Sequence, residues 1–249
     1  MTQLFLKEGW RRFVKPFTVA VVFTIIFGAI RGLGMLGPPH YRPLIPLGFI
    51  CMMILPFIFL TKDGRRQIGF SRSNKFKYYG IGILFGLTAS AVCFGIGMLL
   101  FDTSSDNWFI TIRNYYLTTL SMTAVSTFQL FFIFTIPAMT FSPIGEEIFF
   151  RGFLQEALNS RFTVETSILF ESLLFGIVHI FHHGFVRAAD GSIQFYFLSG
   201  ILWVGLMFLT AYGFALVRKV STSIYPAMIA HTTFNLMMNV FIFSFLWKA

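Results

Sequence analysis

Long apolar runs separated by short polar or basic intervals dominate the chain. They occupy residues 17–36, 44–60 and 78–101, a region from 116 through 141, and then 163–183, 193–217 and 223–247. A helix of about 20 such residues, rising 1.5 Å per residue, reaches across a hydrocarbon core of roughly 30 Å. Alternating strands of the outer-membrane barrel type are absent, so the spans are expected to be helical. The pattern predicts an all-α, polytopic membrane bundle of seven to eight transmembrane helices around an intramembrane cavity, with residues 1–249 as one membrane domain. The fourth region leaves the count open. Residues 116–158 are too long for one span, and Pro137 and Pro143 offer breaks. A second, re-entrant or cavity-lining helix there would make eight.

Composition agrees with a membrane setting. The 249 residues are 56% hydrophobic and 12% charged, with 35 Phe and a mean hydropathy of +0.74. Soluble domains hold about twice that share of charge. Cys51 and Cys93 lie in apolar runs without metal-like spacing and read as packing residues. The basic N-terminus followed by an apolar run resembles a signal peptide, but the run is long and lacks a small-residue cleavage site, so a retained first helix is expected.

A net charge of +9 raises the question of nucleic acid. The basic residues fall between apolar runs, and no basic module with interleaved aromatics is present, which excludes a nucleic-acid role and makes the bilayer the partner. With the N-terminus in the cytoplasm and seven crossings, 14 of the 19 Lys and Arg lie inside, while Arg31, Arg42, Arg113, Arg187 and Lys248 fall outside or near it. That asymmetry predicts an N-in, C-out orientation in a cytoplasmic membrane of bacterial type.

One apolar stretch breaks the pattern: Phe141-Ser-Pro-Ile-Gly-Glu146-Glu147-Ile-Phe-Phe-Arg151-Gly-Phe-Leu154. Ionisable groups at membrane depth cost roughly 2.5 to 3.5 kcal/mol each on insertion scales, so they point to function or to mutual compensation. Adjacent helical residues differ by about 100°, whereas residues four apart share a face. Glu147 and Arg151 therefore predict an ion pair, leaving Glu146 to face a reaction site. A purely structural charge cluster is the competing interpretation.

Two further pairs at one-turn spacing follow. Phe175 and His179 lie in the fifth span, His231 and Asn235 in the last. Taken singly, these polar residues are interhelical hydrogen-bonding groups worth about 0.6 to 2 kcal/mol. Together, His231 and Asn235 suit binding of an oxyanion or a water. Glu171 is a competing buried acid without an evident partner. His179 and His183 share a face suitable for a metal, although an aromatic, His-rich helix end that also includes His182 is the plainer explanation.

Glu146-Glu147-x-x-x-Arg151, Phe175-x-x-x-His179 and His231-x-x-x-Asn235, in this order over about residues 142–236, resemble the CPBP intramembrane proteases. That family includes Rce1-type CAAX prenyl endopeptidases and bacterial bacteriocin-processing or immunity relatives. The resemblance implies peptide-bond hydrolysis within the membrane, on a membrane-presented peptide or protein. Glu146 would activate a water with help from His179, His231 and Asn235 would stabilise the oxyanion, and Glu147, Arg151 and Phe175 would support the site. Glu146, His179 and His231 also form a conceivable zinc set, but no His-Glu-x-x-His helix is present, and a metal-independent glutamate mechanism is favoured. A catalytically silent peptide- or lipid-binding immunity or regulatory protein is the alternative. A proton-relay transporter is disfavoured because no repeated halves are visible.

Overall fold

The computed structural model describes residues 6–13, 15–73, 75–119, 125–188 and 190–248. In chain order the helices are α1 (Glu8–Arg11), α2 (Pro16–Leu36), α3 (Leu44–Phe59), α4 (Lys62–Gln67), α5 (Lys77–Phe101), α6 (Trp108–Thr119) and α7 (Thr127–Glu146). A π-helical segment, Glu147–Leu154, joins α7 to α8 (Gln155–Asn159), and α9 (Val164–Val178), α10 (Phe197–Ser221) and α11 (Ile224–Phe241) complete the bundle. Among the described residues, seven helical stretches are long and apolar enough to cross a membrane. Large apolar side chains such as Ile25, Leu84, Phe132 and Leu209 project outward from them. This is the surface a bilayer solvates, and the chain is an integral, multi-pass membrane protein.

Lipid tails are as apolar as Leu, so the helices associate through close packing rather than through the aqueous hydrophobic effect. The contact between α5 and α11 illustrates this. Gly82, Gly86 and Ser90, four residues apart, form a buried stripe on α5. A Cβ added at Gly82 would come within 2.6 Å of the Pro226 carbonyl oxygen, so the two backbones meet only because the side chain is absent.

The long fourth region resolves into two elements. The twelve-residue α6 is too short to span, and residues 120–124 of the predicted run lie outside the described residues. From Thr127 the chain is helical without a break to Asn159, 33 residues, with no re-entrant piece. A reciprocal capping box between Ser126 and Gln129 starts this helix. The prolines open it without ending it. Pro143 has no N–H to offer the Met139 carbonyl, which instead accepts from Thr232 Oγ1 of α11 at 2.9 Å. Asn235 Nδ2 donates to the neighbouring Ala138 carbonyl at 2.8 Å. The opened turn is thus repaired from α11.

Two other expectations change. The run predicted from residue 193 starts as a strand: β2 (Ile193–Phe195) pairs antiparallel with β1 (Phe185–Arg187), and α10 begins only at Phe197. Arg31, counted among the charges outside or near the outer surface, sits on α2 and is 5% exposed inside the bundle. Its side chain belongs to the site described next.

Candidate active site

The stretch Glu147–Leu154 is buried at every residue and follows π-helical geometry, a rare form that concentrates at functional sites. It brings the acidic pair to the junction of α2, α9 and α11. Glu147 and Arg151 form the expected ion pair, Arg151 Nη1 to Glu147 Oε1 at 3.2 Å, with both side chains fully buried. Arg151 Nε also lies 3.8 Å from Glu171 Oε1, which supplies the partner that could not be named for Glu171 from spacing. The guanidinium stacks over the Phe175 ring, 4.2 Å from its centroid. Phe175 in turn lies 4.3 Å from the His179 ring centroid and 5.9 Å from that of His231. It is the apolar partition between the Arg151 guanidinium and the His179 ring.

Glu146 is fully buried and is not left free. Its Oε1 forms an ion pair with Arg31, and its Oε2 accepts from Ser142 Oγ at 3.0 Å. His231 bridges the two acids, with Nδ1 2.9 Å from Glu147 Oε1 and Nε2 3.6 Å from Glu146 Oε2. The division of labour inferred from helical geometry therefore holds for Arg151, which pairs with Glu147, whereas His231 touches both carboxylates. Phe214 stacks on the His231 ring at 4.9 Å and limits its rotation.

His179 ends α9. Its Nδ1 lies 2.7 Å from the Phe175 carbonyl, which can only accept, so Nδ1 carries the proton. Its Nε2 then offers a lone pair, which accepts from Arg31 Nη1 at 3.0 Å. One guanidinium thus engages both residues expected to activate water. The sequence contained the signal, an Arg in the middle of an apolar span, but nothing local indicated its partner 115 residues away.

A cavity of about 570 Å³ opens in the bundle beside this cluster. Ser142, Phe175, His179, His231 and Asn235 reach its wall, together with the aromatic and apolar surfaces of Phe141, Trp203, Phe214 and Phe234. Glu146 stands behind Ser142 and His231, with Oε2 facing both. Asn235 shares the α11 face with His231, though one amide proton is committed to α7.

The remaining histidines take no part in a metal set with His179. His182 packs edge-on against His179 and lines the cavity. Burial and the Arg31 charge hold its ring pKa well below the usual range. His183 is fully enclosed between Thr111 Oγ1 and Ser199 Oγ, each at 2.8 Å, and burial pushes its pKa down to about 4. Among the described residues, no three His, Cys, Asp or Glu side chains are arranged to hold a metal ion.

No curated protein and no solved structure matches the chain. A family model does: residues 127–237 match the type II CAAX prenyl endopeptidase Rce1-like family, a stretch that contains the acidic pair, Arg151, Phe175, both site histidines and Asn235 but not Arg31. That stretch, somewhat under half of the chain, is similar to a protease family and is set in a multi-pass membrane protein.

Proposed function

We propose that the protein is an intramembrane endopeptidase hydrolysing a peptide bond of a peptide or protein presented within the bilayer. The observation that carries this reading is the convergence of Glu146, His179 and His231, from three helices, with both imidazoles on the wall of a largely apolar cavity and the Glu146 carboxylate directly behind that wall. Preorganised groups in a water-poor site exert more electrostatic effect than the same groups in solvent.

Glu146 Oε2, beside Ser142 and His231, is the oxygen that takes a proton from a water at the cavity wall. The water oxygen bonds to the scissile carbonyl carbon, and the negative charge that develops on the carbonyl oxygen is met by the remaining Asn235 amide proton and, once Nε2 carries a proton, by His231. Collapse breaks the C–N bond, and the proton held by Glu146 passes to the leaving nitrogen. Arg31 fixes Oε1 and the His179 ring, so that Glu146 presents one oxygen in one direction. Glu147 holds the His231 ring through Nδ1.

A zinc site formed by Glu146, His179 and His231 does not fit this donor set. The Arg31 guanidinium, itself a cation, occupies Glu146 Oε1 and the His179 lone pair that a metal would need. The proposed mechanism is accordingly metal-independent, and activity is expected to survive exhaustive chelation. Restoration of lost activity by zinc alone would overturn this.

The decisive experiment is comparative peptidomics of membranes containing the wild type or Glu146→Gln. The substitution is expected to lower turnover by at least about 10²-fold, in line with loss of a general base, while cleavage products specific to the wild type identify the substrate. Unchanged product peptides would sink the hydrolase reading. The same result would favour a silent peptide- or lipid-binding protein, a reading that the double engagement of Arg31 supports because both water-activating groups are already occupied.

A further inference from the structure

Behind the site, away from the cavity, lies a second polar feature that hydrolysis chemistry does not use directly. Glu147, Arg151, Gln155 and Asn159 recur every four residues along the π segment and α8. The helix then turns at Ser160–Phe162 and returns antiparallel as α9. The Arg151–Glu171 pair sets the register of this hairpin, which places Ser167, four residues before Glu171, opposite Gln155, four residues after Arg151. All six side chains are at least nine-tenths buried.

Most of their polar atoms have no hydrogen-bond partner in the protein. Atoms without a hydrogen bond include Glu147 Oε2, both ends of the Gln155 amide, Asn159 Oδ1, Ser167 Oγ and Glu171 Oε2, and Arg151 meets its two carboxylates as ion pairs without hydrogen-bonding geometry at any of its nitrogens. Buried polar atoms are bonded to protein or ordered water in more than nine cases out of ten. A lone exception is unremarkable, but a continuous file of them along one hairpin is a different matter. It runs about 18 Å, twelve residues at 1.5 Å each, from the carboxylate that bonds His231 to the helix end beside the Glu156–Arg218 ion pair.

Each peptide bond hydrolysed consumes one water, and the front cavity is apolar and filled by substrate during the reaction. We infer that this column binds a file of water molecules and supplies the site with water from the membrane surface at the Arg218 end, independently of the substrate entrance. Donors and acceptors alternate along it: carboxylates at Glu147 and Glu171, a guanidinium between them, then an amide, a hydroxyl and a second amide. Waters with two to four such partners are held firmly, whereas an apolar cavity stays dry. The supply role rests on the hydrolase reading; the presence of water does not.

The test is X-ray hydroxyl-radical footprinting of the full chain in lipid nanodiscs, with ¹⁸O-labelled water. Leu154 and Leu158 are the chain neighbours of Gln155 and Asn159, and Leu55, equally buried in the same apolar cluster but on another helix, has the same intrinsic reactivity. Oxygen insertion at Leu154 and Leu158 well above Leu55 is expected. In Gln155→Leu/Ser167→Ala it is expected to fall to the Leu55 level, with thermal stability unchanged or higher because unpartnered polar groups have been removed. Leu154 labelling no greater than Leu55 in the wild type, or undiminished labelling in the double variant, overturns the inference. Footprinting requires no turnover, so the outcomes separate. A dry column with an inert Glu146→Gln enzyme removes the inference alone, and a wet column with fully active Glu146→Gln removes the hydrolase reading.

Discussion

Two buried carboxylate–guanidinium pairs stand side by side in this molecule, and they are built differently. Glu147 and Arg151 lie one turn apart on the same helix, with Phe175 stacked on the guanidinium and His231 bonded to the carboxylate. Glu146 and Arg31 come from helices 115 residues apart, and Arg31 reaches the His179 ring as well. The first pair follows from helix geometry as soon as the segment folds. The second exists only when α2 is docked against the junction of α7 and α9. Adjacent acids thus serve different ends: one holds its own helix and the His231 ring, the other joins the amino-terminal spans to the site.

The largest effect on stability is expected from breaking the local pair. Arg151→Met leaves Glu147 and Glu171 buried without a counter-charge, and removing one partner of a buried pair typically costs about 3–5 kcal/mol. Thermal unfolding in detergent, compared with Arg151→Met/Glu147→Gln, checks this, because the double variant is expected to recover part of the loss. Next comes the long-range pair. Arg31→Met is expected to destabilise by about 2–4 kcal/mol, and its effect is expected to shrink when Glu146 is already Gln, a coupling read from a double-mutant cycle. Additive losses would show that the two groups do not sense each other.

His183 offers a contrast, a buried ionisable ring held by the neutral groups Thr111 and Ser199, with Asp106 nearby through Ser199. Its folded pKa of about 4 lies below the ordinary 6.5. On acidification the unfolded chain takes up the proton first, so stability is lost as pH falls from about 6.5 to 4, by up to roughly 3 kcal/mol. His183→Gln is expected to flatten that part of the melting-temperature profile. The smallest expected effect is that of Thr232→Val, which removes the hydroxyl repairing the proline-opened turn and costs about 1 kcal/mol in the same assay. A loss as large as that of Arg31→Met would place the critical α7 contact at Pro143 and not at the ion pair.

The features visible in the sequence are those that depend on spacing alone. Run length revealed a bundle of seven to eight spans, and the four-residue interval revealed Glu147 with Arg151 and the shared face of His231 and Asn235. Arg31 escaped because a charge within a span looks the same in sequence whether it reaches toward the surface or toward a partner helix, and only docking decides. Glu171 lacked a partner for the same reason. The fourth region misled because prolines normally stop helices, whereas here Thr232, on another span, supplies the donor that Pro143 lacks. The strand at Ile193 was hidden by its apolar composition, which suits a hairpin and a helix equally.

The placement of Arg31 also bears on how far the Rce1-like stretch can be treated as a portable unit. The family match runs from 127 to 237, yet the cation that neutralises its foremost acid is supplied from residue 31. Excised at that boundary, or grafted onto other spans, the stretch would carry every recognised motif and still expose Glu146 to a membrane interior without its counter-ion. In this chain the boundary of the sequence family and the boundary of the working electrostatic unit do not coincide.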